Sequence, residues 1–110
     1  MSDAATQTSI TERRKTPRFA MALTCTLRQR TSSPIWAETI DVGEGGMSVR
    51  AARPLQADEV VEFDLASDGD EHVTGRAVVT RLHSPRVYGL RFEPLGQPMR
   101  ERLHHLVQGG

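Results

Sequence analysis

Residues 13 to 18 read Arg-Arg-Lys-Thr-Pro-Arg, four cations and one rigid proline in a six-residue stretch. Such a cluster can hold an anion. Arg14 and Arg18 stand four positions apart on a segment that Pro17 keeps away from helix. Their guanidinium forks can therefore neutralise phosphate, lie flat on a purine, or meet two acceptors on a base edge. A second stretch carries different groups: Asp41-Val42-Gly43-Glu44-Gly45-Gly46. Its carboxylate can accept from paired N–H donors, and Gly43, Gly45 and Gly46 let backbone N–H groups approach a ligand with no side chain in the way. Each stretch also has an ordinary reading. The first can be a solvated basic tail, and the second a hairpin turn, since Asp and Gly are what such turns use.

No other constellation points to catalysis or to a metal. His104 and His105 are adjacent on a helical pattern and so diverge by about 100 degrees, a poor geometry for sharing one ion. Cys25 falls on an apolar strand face, which suits a core residue rather than a nucleophile. Trp36 is a lone tryptophan in a strand-like segment. Ser, His and acidic residues are present, yet no nucleophile elbow or metal spacing accompanies them. The chain reads as a binding protein with no catalytic residue.

The chain has 110 residues, which bounds it to one domain with a single core. Fourteen basic and fourteen acidic residues cancel, so a general nucleic-acid binder is excluded and any steering field must be local. It is local: residues 12 to 18 hold four bases against one acid, and residues 58 to 71 hold seven acids and no base. Thirteen of the fourteen bases are arginine, which favours planar bidentate recognition but also follows from a GC-rich genome. The single cysteine permits no intrachain disulfide. No leader pattern and no membrane-length apolar run occurs, so the expected location is cytoplasmic.

These groups need a scaffold, and the hydrophobic periods supply one. Residues 1–11 are mostly Ser, Thr, Ala, Gln and Asp and predict a disordered N-terminal arm. From Ala20 to Arg28 the chain alternates, with Met21, Leu23, Cys25 and Leu27 on one face. Further strands are predicted over Ile35 to Ile40, Met47 to Ala51, Val61 to Leu65, His72 to His83 and Val87 to Phe92. Adjacent Val78 and Val79 hint at a bulge. Asp68-Gly69 and Ser84-Pro85 mark turns. Six short strands predict a mainly β fold, an antiparallel barrel. The period then changes: Pro98 suits a first helical turn, and Met99, Leu103, Leu106 and Val107 make one apolar face of a C-terminal capping helix.

R-x-x-x-R at Arg14 and Arg18, followed by Asp41-Val42-Gly43-Glu44-Gly45-Gly46, resembles the PilZ domain, the bacterial receptor module for cyclic di-GMP. The family pattern is R-x-x-x-R and then D/N-x-S-x-x-G, and the interval from Arg18 to Asp41 falls within the family's. Tyr88-Gly89-Leu90-Arg91-Phe92 is similar to the family's last strand. Gly43 departs, standing where the family has serine. The resemblance implies a single six-stranded PilZ-like barrel over residues 12–108 with a flexible basic arm that folds over the ligand. It makes Arg14 and Arg18 the main ligand contacts with Arg13 assisting, and it carries over Asp41 and Gly46, with Gly45 in the same turn and Gly43 in place only. An arginine fork matches guanine O6 and N7, worth about 1–3 kcal/mol of discrimination. The lost serine hydroxyl removes about 0.5–1.5 kcal/mol, against about 8 kcal/mol for micromolar binding, so binding is weakened but not abolished. In the family an arginine at position 13 goes with two stacked ligands per chain.

The implied function is a cyclic di-GMP receptor that changes conformation on binding and signals through an unidentified protein partner. A degenerate PilZ-like adaptor that binds protein and no nucleotide is the alternative. A small-barrel RNA binder fits less well, because the chain has only five aromatic residues and no net charge. Neither DNA, RNA nor membrane is expected as a partner.

Overall fold

The computed structural model describes residues 17–30, 33–66 and 71–109. The expected disordered arm, Arg13, Arg14 and the Asp68-Gly69 loop lie outside them. Among the described residues seven strands and one helix follow in order: β1 (Arg18–Ala20), β2 (Thr24–Arg28), β3 (Ile35–Gly43), β4 (Gly46–Ala51), β5 (Val60–Ala66), β6 (His72–Ser84), β7 (Val87–Phe92) and α1 (Gln97–Gly109). All pairings are antiparallel, and the ring β3-β2-β5-β6-β7-β4 closes because β4 also pairs with β3. The result is the expected six-stranded barrel with one added strand, β1.

That added strand corrects the reading of one continuous strand from Ala20 to Arg28. β1 pairs with residues 41–43 of β3, and β2 with residues 35–38 of the same strand. They are two halves of one edge, parted at residues 21–23. The Thr39 side chain fills the gap. Its Oγ1 accepts from Leu23 N at 2.8 Å and donates to Met21 O at 2.7 Å. A buried hydroxyl needs such partners, and Thr39 is only 2% exposed.

Alternation sends Cys25, Leu27, Ile35, Met47, Leu65 and Leu90 into the interior, where each is at most 1% exposed. Phe63 and Phe92 stack with centroids 4.9 Å apart. On β3 the alternation slips: Thr39 pairs with Val49 but Asp41 with Ser48, so Ile40 is an extra residue. This bulge turns Ile40 and Asp41 outward in succession and brings Val42 back inside. β6 has a similar slip between Val79 and Arg81, close to the predicted bulge.

The helix begins as expected, with Pro98 in the turn where an amide would have no helical partner. Leu103 and Val107 join the core, while Leu106 packs at its margin. Arg102 donates to the carbonyl of His72 at 3.1 Å, tying the helix to the start of β6. No helix among the described residues is long and apolar enough to cross a membrane.

Candidate ligand site on the outer wall

Cross-strand register assembles the site. On the outer face Ala20 pairs with Asp41, Asp41 with Ser48, Ser48 with Gly89 and Gly89 with Arg81. One step along, Arg18 pairs with Gly43, and Gly46 with Arg91. A floor of small residues therefore runs across β3, β4 and β7. Arg18 and Asp41 rise on one side of it, Arg81 on the other, and Arg91 beside Gly46.

Arg18 lies along this floor. Its Nη1 donates to Asp41 Oδ1 at 3.1 Å and to Ser48 Oγ at 3.2 Å. The two charged side chains are 25% and 30% exposed, so the pair is screened but not fully solvated. Ser48 points outward, yet it is only 8% exposed beneath this cover. One end of the guanidinium is thus fixed. Its Nε and Nη2 form the other edge, which meets no acceptor among the described residues, and two parallel donors on one edge suit a planar two-acceptor group.

The sequence expectations divide accordingly. Arg13 and Arg14 lie outside the described residues. Arg18, Asp41, Gly43 and Gly46 come together. Gly45 shapes the turn, its carbonyl accepting from Phe92 N at 3.0 Å. Asp41 does not open a turn: β3 runs through it to Gly43, because the bulge at Ile40 re-aims the strand without ending it. Ser48, Arg81 and Arg91 were not singled out. The signal for Arg91 was present, since it alternates between the inward Leu90 and Phe92. Ser48 and Arg81 become neighbours only through pairing.

The other candidates stay apart from this floor. Cys25 is 0% exposed, and burial pushes its thiol up to about 12, so it remains protonated and unreactive. His104 does more than face solvent: its Nδ1 lies 2.7 Å from Glu44 Oε2, linking α1 to the turn between β3 and β4. A cavity of about 490 Å³ lies on the far wall, against Arg28, Glu62, Asp64 and Arg76. There Arg28, Glu62 and Arg76 sit side by side in register, and Arg76 Nε lies 3.7 Å from Glu93 Oε1.

The sequence profile of the PilZ domain matches residues 12–109. No curated protein matches the chain. Among solved structures, the Bacillus subtilis inhibitor of motility (MotI/DgrA) superposes with a TM-score of 0.72 at 18% identity, over 88% of this chain and 50% of that one. This chain therefore spans about half the length of that protein. The PilZ domain of CeSA from a cellulose-synthesizing bacterium gives 0.69 at 18% identity, over 84% of this chain and 96% of its own. Similarity at that identity establishes the barrel, and the profile, which spans nearly the whole chain, establishes the lineage. The chain belongs to the PilZ domain family.

Proposed function

We propose that this protein is a receptor for cyclic di-GMP that acts through a partner protein. The observation that carries the reading is the fixed guanidinium: Asp41 and Ser48 hold Arg18 by Nη1, and its Nε/Nη2 edge is left to donate to guanine O6 and N7 or to a phosphate. Asp41 has acceptor capacity beyond the one bond it makes, enough for guanine N1–H and N2–H2. Arg81 and Arg91 add positive charge around a floor whose Gly46 and Gly89 carry no side chain of their own, with Arg18 Nη2 lying over the first and Thr80 Oγ1 and His83 Nε2 over the second. Arg13 and Arg14 complete the ligand contacts from the arm. A third guanidinium at Arg13 adds charge compensation and a flat surface for an outer base, which supports two stacked ligands per chain.

Glu44 offers the route to the partner. It lies inside the ligand turn and holds His104, so a ligand that repositions the turn also pulls on α1 and changes the surface the helix presents.

Calorimetric titration with cyclic di-GMP, cyclic di-AMP, GTP and a short RNA tests the reading. Cyclic di-GMP alone is expected to bind tightly, with two molecules per chain at saturation and a lower ratio in Arg13→Leu. Equal competition by cyclic di-AMP would refute guanine reading. An endpoint of one ligand in the wild type would refute the stacked pair, and no heat with any ligand would favour the nucleotide-free adaptor.

A further inference from the structure

Gly43 stands where the family pattern has serine, and the structure gives its missing side chain a purpose. A Cβ built on Gly43 would stand 2.6 Å from the Pro17 carbonyl oxygen, 3.1 Å from Arg18 Cγ and 3.4 Å from Arg18 Cα. The nearest of these atoms is backbone, which cannot swing aside as a side-chain tip can. Gly46 is similar: its added Cβ would collide with the Leu90 carbonyl and come within 3.2 Å of Arg18 Nη2. Neither glycine has a left-handed φ, so neither is required by backbone conformation. Both are required by space. Together they form a trough, and Arg18 lies in it on its way to Asp41 and Ser48.

Strand β1 has little else to hold it. It is three residues long, pairs with β3 along one edge only, and is separated from β2 by the gap at residues 21–23. Beyond its ladder it is secured by the Met21 N to Ile40 O bond of 3.2 Å, by the Thr39 hydroxyl donating to Met21 O at 2.7 Å and by the grip on the Arg18 guanidinium. The close approach at Gly43 sits at the leading end of that ladder. A side chain there would lift Pro17 and Arg18 away first.

We propose that Gly43 makes β1 a latch that is closed in the free protein, holding Arg18 in place before ligand arrives, and that any side chain at position 43 opens it. Its ligand-dependent half rests on the cyclic di-GMP reading; its closed state does not. Restoring the family's serine would then add a hydroxyl and release the strand that carries Arg18. Gly43→Ser is expected to bind ligand more weakly than the wild type, against the gain that one more hydrogen bond would bring.

Amide hydrogen exchange tests this in the whole chain. In the ligand-free wild type, the Met21 and Val42 amides, which face across the β1–β3 ladder, are expected to exchange at least tenfold slower than unstructured peptide. In Gly43→Ser they accelerate at least tenfold and in Gly43→Ala by a smaller factor, while amides of β5 keep their protection. An unprotected Met21 amide in the wild type overturns the latch with no variant needed, and so does equal protection in the wild type and both variants. Cyclic di-GMP, which takes Arg18 of β1 as a contact, should raise Met21 protection further in both proteins, from a starting level at least tenfold higher in the wild type than in Gly43→Ser. If cyclic di-GMP binds but Met21 is unprotected in the ligand-free wild type, the latch is wrong and the receptor reading stands. If the ligand-free pattern holds but no cyclic di-GMP binds, the receptor reading is wrong and the latch stands.

Discussion

Removing the Asp41 carboxylate separates the duty it has, securing Arg18, from the one proposed for it, reading the ligand. In the free protein it makes one bond, 3.1 Å to Arg18 Nη1, within a pair whose side chains are 25% and 30% exposed. Partly solvated ion pairs contribute about 1 kcal/mol or less, because water screens them and two side chains must be held still. For a domain of this size, 1 kcal/mol corresponds to about 4–8 °C in Tm. Asp41→Ala is thus expected to lower Tm by no more than that and to stay folded at 25 °C. Affinity should respond more strongly. A hydrogen bond to a charged group is worth about 1.5–3 kcal/mol, and losing it weakens binding about tenfold to hundredfold. Asp41→Asn keeps one acceptor oxygen, as the family pattern allows, and should recover part of that loss. Thermal unfolding without ligand and calorimetry with cyclic di-GMP check the two magnitudes on the same samples. A dissociation constant for Asp41→Ala within twofold of the wild type would refute the argument, whatever happened to Tm.

Two further outcomes test the scaffold. Thr39→Val keeps the shape but removes the hydroxyl that serves Leu23 N and Met21 O, so it should cost about 1–3 kcal/mol, read as a lower urea midpoint with unchanged slope. The Cys25 thiol loses its proton near 9 when unfolded and near 12 when folded, because burial disfavours the thiolate. Below pH 9 both states keep the proton and stability is unaffected; between pH 9 and 12 only the unfolded state releases it, so stability falls as pH rises, by about 1.4 kcal/mol per unit. Urea unfolding at pH 8 and 10.5 should show a steeper decline for the wild type than for Cys25→Ala.

Where side-chain alternation is local, the sequence was enough. β7 has the predicted bounds, Val87–Phe92, because inward Tyr88, Leu90 and Phe92 alternate with outward Gly89 and Arg91. β1 and β2 could not be told apart, since Met21 and Leu23 continue the apolar alternation across the gap. The gap exists because a side chain from another strand, that of Thr39, replaces the missing ladder bonds. The bulge at Ile40 was hidden in the same way, and with it the fact that Asp41 lies within a strand. Arg18 and Asp41 were legible as a motif, but Ser48, 30 positions from Arg18, joined them only through register. Gly43 was legible as a missing hydroxyl; that a carbonyl occupies the space of its side chain is visible only when two strands are in place.

Trp36 is the chain's single tryptophan, and it stands 64% exposed on the outer wall of the strand that carries Asp41 and Gly43. Its indole is already largely in water when the protein is folded, whereas the single tyrosine, Tyr88, is 5% exposed. Intrinsic fluorescence is therefore a poor gauge of unfolding here, because the emitter changes its surroundings little. It is a good gauge of coverage. A large apolar ring on an open sheet face is the kind of group that protein interfaces bury. A protein seated over that part of β3 would shift the emission to the blue and shield it from a soluble quencher, so the barrel carries its own optical label for occupancy of that wall.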